Sequence, residues 1–258
     1  MVSLSRTITE SRVPSGSVVI FWLGQAGFVF KDGDGTIIYI DPYLSNAVEQ
    51  QHGFKRIMAS PIEPDMVLTD LVISTHGHAD HLDPVAIPII ARNPRARFAG
   101  SAKCVNLYRA TGMGPDRYFE IRDGTTHRFR GVEIIGVYAD HGEDAPDAVG
   151  VVLDFGGIRV YHTGDTTFRR EKMHAIAALK PDIILASING NYGSMDADDA
   201  AHLTHFVGAR LAIPAHFWMF VQQKGNPARF LQACKETAPG VKTLLLTQGE
   251  RFAWPERP

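Results

Sequence analysis

The stretch Asp70-Leu71-Val72-Ile73-Ser74-Thr75, running into His76-Gly77-His78-Ala79-Asp80-His81, decides how this chain is read. The first six residues form a short apolar run of the buried-strand type. The next six place three imidazoles and a carboxylate at its carboxyl end. They cannot all be core residues, because each needs a hydrogen-bonding or metal partner once buried. On a loop leaving a strand, His76 and His78 project together as alternate residues, while Asp80 and His81 reach a second point nearby. Imidazole and carboxylate together suit Zn²⁺, Mn²⁺ or Fe²⁺, and the absence of cysteine from the cluster argues against a closed structural zinc site.

Working outward, three more polar residues stand just after a predicted strand. His141 lies in YADHGED after a strand over 132–139. Asp165 lies in YHTGDT after one over 158–162, and His216 lies in IPAHF after one over 210–214. Any one alone reads as a satisfied structural residue; beside the six-residue cluster they gain a common purpose. Residues 18–30 and 36–41 are β-branched and aromatic runs, with the Asp32-Gly33-Asp34-Gly35 turn between them as a hairpin. Residues 45–67 read as a long surface loop, and Asp83-Pro84 opens a helix. Further helices are expected near 102–111, 168–179 and 196–207, the last with Asp196 as N-cap. Further strands are expected near 125–130, 149–155 and 182–188, with a closing pair at 242–247 and 250–254. No Gly/Ser linker and no internal repeat divides the chain, so it reads as one α/β domain over residues 1–258.

Composition sets the outer bounds. With 258 residues, 45% hydrophobic and 21% charged, the chain has the make-up of an ordinary globular protein. A net charge of −2 supplies no electrostatic reason for a polyanionic partner, so no nucleic acid is expected. Cys104 and Cys234 stand far apart and read as reduced packing residues. There is no apolar signal core and no transmembrane-length run. The expectation is a cytoplasmic protein with no membrane partner.

The order HGHADH, His141, the HTGD around Asp165, and the PAH ending at His216 resembles the ligand set of the metallo-β-lactamase superfamily. That resemblance implies a four-layer αββα sandwich carrying two divalent metal ions. It implies that His76, His78 and His141 hold the first ion, that Asp80, His81 and His216 hold the second, and that Asp165 bridges them. WLGQAGF at 22–28, IDPY at 40–43, GNYGSMDADDA at 190–200 and TQGERFAWP at 247–255 further resemble the L-ascorbate-6-phosphate lactonase branch. This branch implies manganese beside zinc, a homo-oligomer and a small-molecule substrate. The activity implied is hydrolysis of a small lactone or ester, a phosphorylated sugar lactone among them, by metal-bound hydroxide. Asp80 would orient that hydroxide and then protonate the leaving oxygen.

The alternative is a phosphodiesterase on the same site, acting on a cyclic nucleotide, RNA or an N-acyl phosphatidylethanolamine in the manner of a phospholipase D. Nucleic-acid-processing members of the superfamily carry a large insertion between the last two ligands, and here only residues 166–215 intervene. Around the ligands, Asp41 is expected either to accept a ligand imidazole N–H or to cap its strand. His162 is either a supporting residue or an ordinary strand residue. Asn189 and Asn191 are candidate substrate contacts, with a tight turn at Gly190 and Gly193 as the competing reading. Thr166 reads as a loop hydroxyl, His202 and His205 as exposed helix residues, and Phe217–Phe220 as pocket wall or core. Arg92, Arg95 and Arg97 read as a solvated turn.

Overall fold

A computed structural model describes residues 3–255. The chain divides into two compact units: the first runs to Glu120 and resumes at Thr247, and the second is Ile121–Leu246. Each contains one seven-stranded mixed sheet together with helices. Among the described residues no helix is long and apolar enough to cross a membrane.

In the first unit the sheet comprises β1 (Val18–Gly24), β2 (Gly27–Asp32), β3 (Ile37–Ile40), β4 (Leu71–Ser74), β5 (Arg97–Gly100), β6 (Tyr118–Glu120) and the last of the described strands, β14 (Arg251–Trp254). Their spatial order is β14-β1-β2-β3-β4-β5-β6. β4 is parallel to both its neighbours, and its run LVIS is fully buried, as a central parallel strand requires. Val19, Phe21 and Leu23 of β1, Tyr39, Val72 and Phe98 share a core with Ile87 and Ile90 of α3 (Ala86–Ile90) and Val105 and Tyr108 of α4 (Ala102–Ala110). Helices α1 (Leu4–Glu10) and α2 (Ala47–His52) complete this unit. Because β1, β3 and β4 point the same way, their carboxyl ends, which lead to Gln25, Asp41 and Thr75-His76, lie along one edge.

The close fit under β4 depends on Gly100. A Cβ there would lie 2.4 Å from the Ser74 carbonyl oxygen and 2.8 Å from Cys104 Cβ. Overpacking of this kind costs roughly 1–3 kcal/mol. Gly100→Ala is therefore expected to lower the unfolding midpoint in denaturant by a matching amount; an unchanged midpoint would show that the strand end yields freely.

In the second unit β7 (Thr126–Phe129), β8 (Val132–Tyr138), β9 (Val149–Asp154), β10 (Arg159–His162), β11 (Ile183–Ser187), β12 (Leu211–Ala215) and β13 (Lys242–Thr243) pair in sequence. β10 through β13 are parallel, and β8 runs the same way as β10 across the antiparallel β9. The segments after β8, β10, β11 and β12 therefore emerge at one edge. Helices α5 (His174–Leu179), α6 (Ala197–Val207) and α7 (Pro227–Thr237) belong to this unit. Asp196 caps α6 as expected, accepting the N–H groups of Asp198 and Asp199.

The structure departs from the sequence reading at several points: α2 lies within the expected loop 45–67, α1, β5 and β6 were not anticipated, and three further differences bear on the site and the sheets. The run 18–30 is two strands, broken by a turn at Gln25-Ala26 in which Gln25 has φ +53°. Gly24 and Gly27 flank that turn, but the apolar runs on either side of it read as one segment. The segments 242–247 and 250–254 are not a pair: β13 joins β12, and β14 joins β1 in the other sheet. Helix α7 was not anticipated, although Asn226 accepting the Arg229 N–H and Pro227 in the first turn are ordinary start signals.

Candidate metal centre

In the first unit the cluster is built around a buried carboxylate. Asp41 follows β3 with φ +47°, a conformation Asp tolerates better than most residues. Its Oδ1 accepts the Thr75 N–H at 2.7 Å, and its Oδ2 accepts the Thr75 hydroxyl at 2.7 Å. His81 Nδ1 also lies 2.7 Å from that Oδ2. Asp41, Thr75 and His81 are all fully buried. Donation from Nδ1 to the carboxylate leaves the Nε2 lone pair for a metal, the usual carboxylate–histidine arrangement behind a ligand. Of the two readings of Asp41, the geometry matches the imidazole acceptor.

The other side chains of HGHADH turn to the same region of this unit. His76 Nε2 and His78 Nδ1 are 2.9 Å apart, and the His76 and His81 ring centroids are 4.1 Å apart. Asp80 Oδ2 lies 3.8 Å from His81 Nε2 and accepts the side-chain amide of Gln25 at 2.7 Å. Gln25 is fully buried, and its own carbonyl accepts the Trp22 indole N–H. Asp83, also buried, fixes the exit of the loop: it accepts the Leu44 and Ser45 N–H groups and those of Val85 and Ala86 at the start of α3. Tyr43 sits under the Arg56 guanidinium, 4.7 Å from its ring centroid. Burial pushes the Tyr43 phenol up to about 12, with Asp80 and Asp83 acting in the same direction, so it stays protonated at neutral pH.

In the second unit the centre of the arrangement is Asp165. Its Oδ1 accepts the Ser187 hydroxyl at 3.0 Å, and its Oδ2 accepts that of Ser194 at 3.1 Å. The same Oδ2 lies 3.3 Å from His216 Nε2 and 3.7 Å from His141 Nε2. One carboxylate oxygen thus stands between two imidazole nitrogens. Gln223 lies beside His216: its Nε2 is 3.0 Å from Nδ1, while its Oε1 accepts the N–H groups of Met219 and Phe220. His141 is placed through its neighbour Asp140, whose N–H donates to the Thr166 hydroxyl at 2.8 Å. Arg169 binds the Asp140 carboxylate and holds it below its usual range.

The sequence reading of the surrounding residues is answered unevenly. His162 is buried and its Nδ1 accepts the Gly164 N–H, so it shapes the HTGD turn. Asn189 is buried, whereas the Asn191 amide donates to the Gln222 carbonyl and ties two loops together. Thr166 is fully buried and joins the His141 and Asp165 segments, a larger role than a loop hydroxyl. Gln25, Ser187, Ser194 and Gln223 were not singled out from sequence. Gln25 directly follows β1, which was a usable signal, whereas Ser187, Ser194 and Gln223 carry no comparable local mark.

The model of the β-lactamase superfamily domain matches residues 19–216 of this chain. A UPF0173 metal-dependent hydrolase of Archaeoglobus fulgidus is 30% identical over 247 residues, covering 90% of this chain and 97% of the relative. One from Polynucleobacter asymbioticus is 29% identical, covering 91% and 86%. Among solved structures, Igni18, a metallo hydrolase from Ignicoccus hospitalis, matches with a TM-score of 0.73 at 26% identity, covering 93% of this chain and all of that one. The chain belongs to the metallo-β-lactamase superfamily and is a metal-dependent hydrolase. Its mixed α/β fold with two large sheets is that of the superfamily.

Proposed function

We propose that the chain hydrolyses a small lactone or ester at a binuclear metal centre. In this reading, as the superfamily resemblance implies, His76, His78 and His141 would hold one divalent ion, Asp80, His81 and His216 would hold the other, and Asp165 would serve both. The observation that carries it is the Asp165 Oδ2 set between His141 Nε2 and His216 Nε2, with a serine hydroxyl on each of its oxygens. The donor set fits such ions: it is all imidazole and carboxylate, and His81 is backed by Asp41 in the way metal-bound histidines are. The same donors suit Zn²⁺ or Mn²⁺.

When bound, a divalent pair acidifies water to give a nucleophile at neutral pH and polarises the substrate oxygen. The protein's residues do the rest. Gln25 donates to Asp80 Oδ2 and so keeps that oxygen an acceptor. Asp80 Oδ1 takes the proton of the attacking water and passes it to the leaving oxygen. Asp41, Thr75, Ser187 and Ser194 fix the ligands before substrate arrives, so little reorganisation is left to the reaction itself. The similarity of WLGQAGF and IDPY to the L-ascorbate-6-phosphate lactonase branch supports a carbonyl rather than a phosphoryl centre.

The test is metal content of the purified protein, together with turnover of lactone, ester and bis-p-nitrophenyl phosphate panels. About two ions per chain are expected, with lactone or ester turnover abolished by chelator and restored by one of Zn²⁺ or Mn²⁺. A metal-free, inactive protein would overturn the binuclear reading. Turnover of the phosphodiester alone would overturn the substrate class.

A further inference from the structure

We infer that Tyr192 and Trp218 determine specificity by receiving the apolar side group of a neutral lactone or ester. This rests on the lactone or ester reading above. Two loops of the second unit carry the argument, residues 188–195 after β11 and 216–225 after β12. Both reach Asp165: Ser194 donates to its Oδ2, and His216 Nε2 lies 3.3 Å from that same atom. A Cβ on Gly193 would lie 3.9 Å from His141 Nδ1. Tyr192 and Trp218 are thus each two residues from a group in contact with Asp165.

The loops are locked to each other. Lys224 N–H donates to the Asn189 carbonyl at 3.0 Å, and the Asn191 amide donates to the Gln222 carbonyl at 3.3 Å. A Cβ on Gly225 would meet the Ile188 carbonyl at 2.7 Å and Phe217 Cβ at 2.8 Å. Phe217, Met219 and Phe220 are buried and anchor the second loop. Against that background Tyr192 and Trp218 stand 57% and 56% exposed, with Val221 at 80%.

Their backbones make the exposure informative. Tyr192 has φ +51° and Trp218 has φ +56°, a region that bulky side chains rarely occupy and that glycine or asparagine would fill with less strain. Strain of this kind persists where the surrounding structure over-determines it, and it clusters at ligand-binding segments. Two large aromatics held this way on rigid loops form a hydrophobic lip. The chemistry of the lip narrows the substrate. Across residues 188–195 and 216–225 the one charged side chain is Lys224, so these loops offer a phosphate little, and an alkyl or aryl group two broad surfaces. Asn189 adds a polar contact: its Oδ1 is buried without a hydrogen-bond partner, and it lies two residues beyond Ser187, which binds Asp165.

The experiment compares p-nitrophenyl acetate with p-nitrophenyl octanoate on metal-replete wild type, Trp218→Ala, Tyr192→Ala and Trp218→Phe. The octanoate KM is expected to rise about tenfold or more in each alanine variant, since each buried methylene is worth about 0.8 kcal/mol. The acetate KM and both kcat values should stay within about twofold, and Trp218→Phe should restore most of the octanoate KM. Calorimetric binding of 2-decanone, a non-hydrolysable analogue, tests the lip without turnover. Weaker 2-decanone binding in folded alanine variants supports the lip even if neither ester is cleaved, an outcome that would sink only the lactone or ester reading. An octanoate-to-acetate KM ratio and a 2-decanone affinity that match wild type in both alanine variants would overturn the inference.

Discussion

Asp165→Asn is expected to lower kcat/KM by about 10³-fold while leaving the metal-free protein as stable as wild type. The substitution keeps the shape of the side chain and removes its charge. In the second unit one Asp165 oxygen stands between two imidazole nitrogens while two serine hydroxyls donate to the carboxylate. On the proposed reading, in which that charge would serve two dications, it would be worth several kcal/mol of electrostatic stabilisation, and about 4 kcal/mol corresponds to a thousandfold in rate. Metal content should fall below that of wild type in parallel. Steady-state kinetics with metal analysis settles the matter: a fully metallated, fully active Asp165→Asn protein would rule out a bridging role.

Asp41 gives the second large effect, this time divided between stability and metal. Its carboxylate meets three donors at 2.7 Å with no exposure to solvent. Asp41→Ala strands all three in the interior at about 1–3 kcal/mol each, a large fraction of the roughly 5–15 kcal/mol by which a folded protein is stable. The alanine variant is expected to unfold at much lower denaturant, or not to accumulate. Asp41→Asn separates the two roles, because asparagine accepts the positive φ and retains an acceptor for Thr75. Its amide N–H₂ cannot accept from His81 Nδ1, so the ring turns its lone pair away from the metal position. Metal affinity should then fall about 10- to 100-fold, read by competition with a chromophoric chelator. Wild-type affinity in Asp41→Asn would show that His81 does not depend on this carboxylate.

The sequence was most legible where polar residues interrupt strong strand signals. HGHADH after LVIST, and single ligand-type residues after β8, β10 and β12, could be placed because parallel strands bring their carboxyl ends to one edge. The residues that steady the ligands were harder to see. Gln25 sits in a turn hidden within a continuous apolar run, and Gln223 lies seven residues from the histidine it supports. Serines such as Ser187 and Ser194 are unremarkable until their hydroxyls are seen on Asp165. Pairing of strands distant in sequence was also beyond local pattern: β13 and β14 looked like a hairpin because they are neighbours in the chain, but each found a partner in a different sheet.

The pairing of β14 with β1, Val18 opposite Trp254, also sets the order of events during synthesis. The second unit is a continuous segment and has all its strands once Leu246 has left the ribosome. The first unit, although begun earlier, keeps the open edge of β1 unzipped until the final strand is made, and must then close a loop of more than two hundred residues. Loop closure of that length is slow mainly because the contact is so non-local, while its entropic cost grows only logarithmically. The unit translated first is therefore completed last, and a nascent chain stalled before residue 251 exposes a hydrophobic strand edge to whatever chaperone or neighbouring chain is at hand.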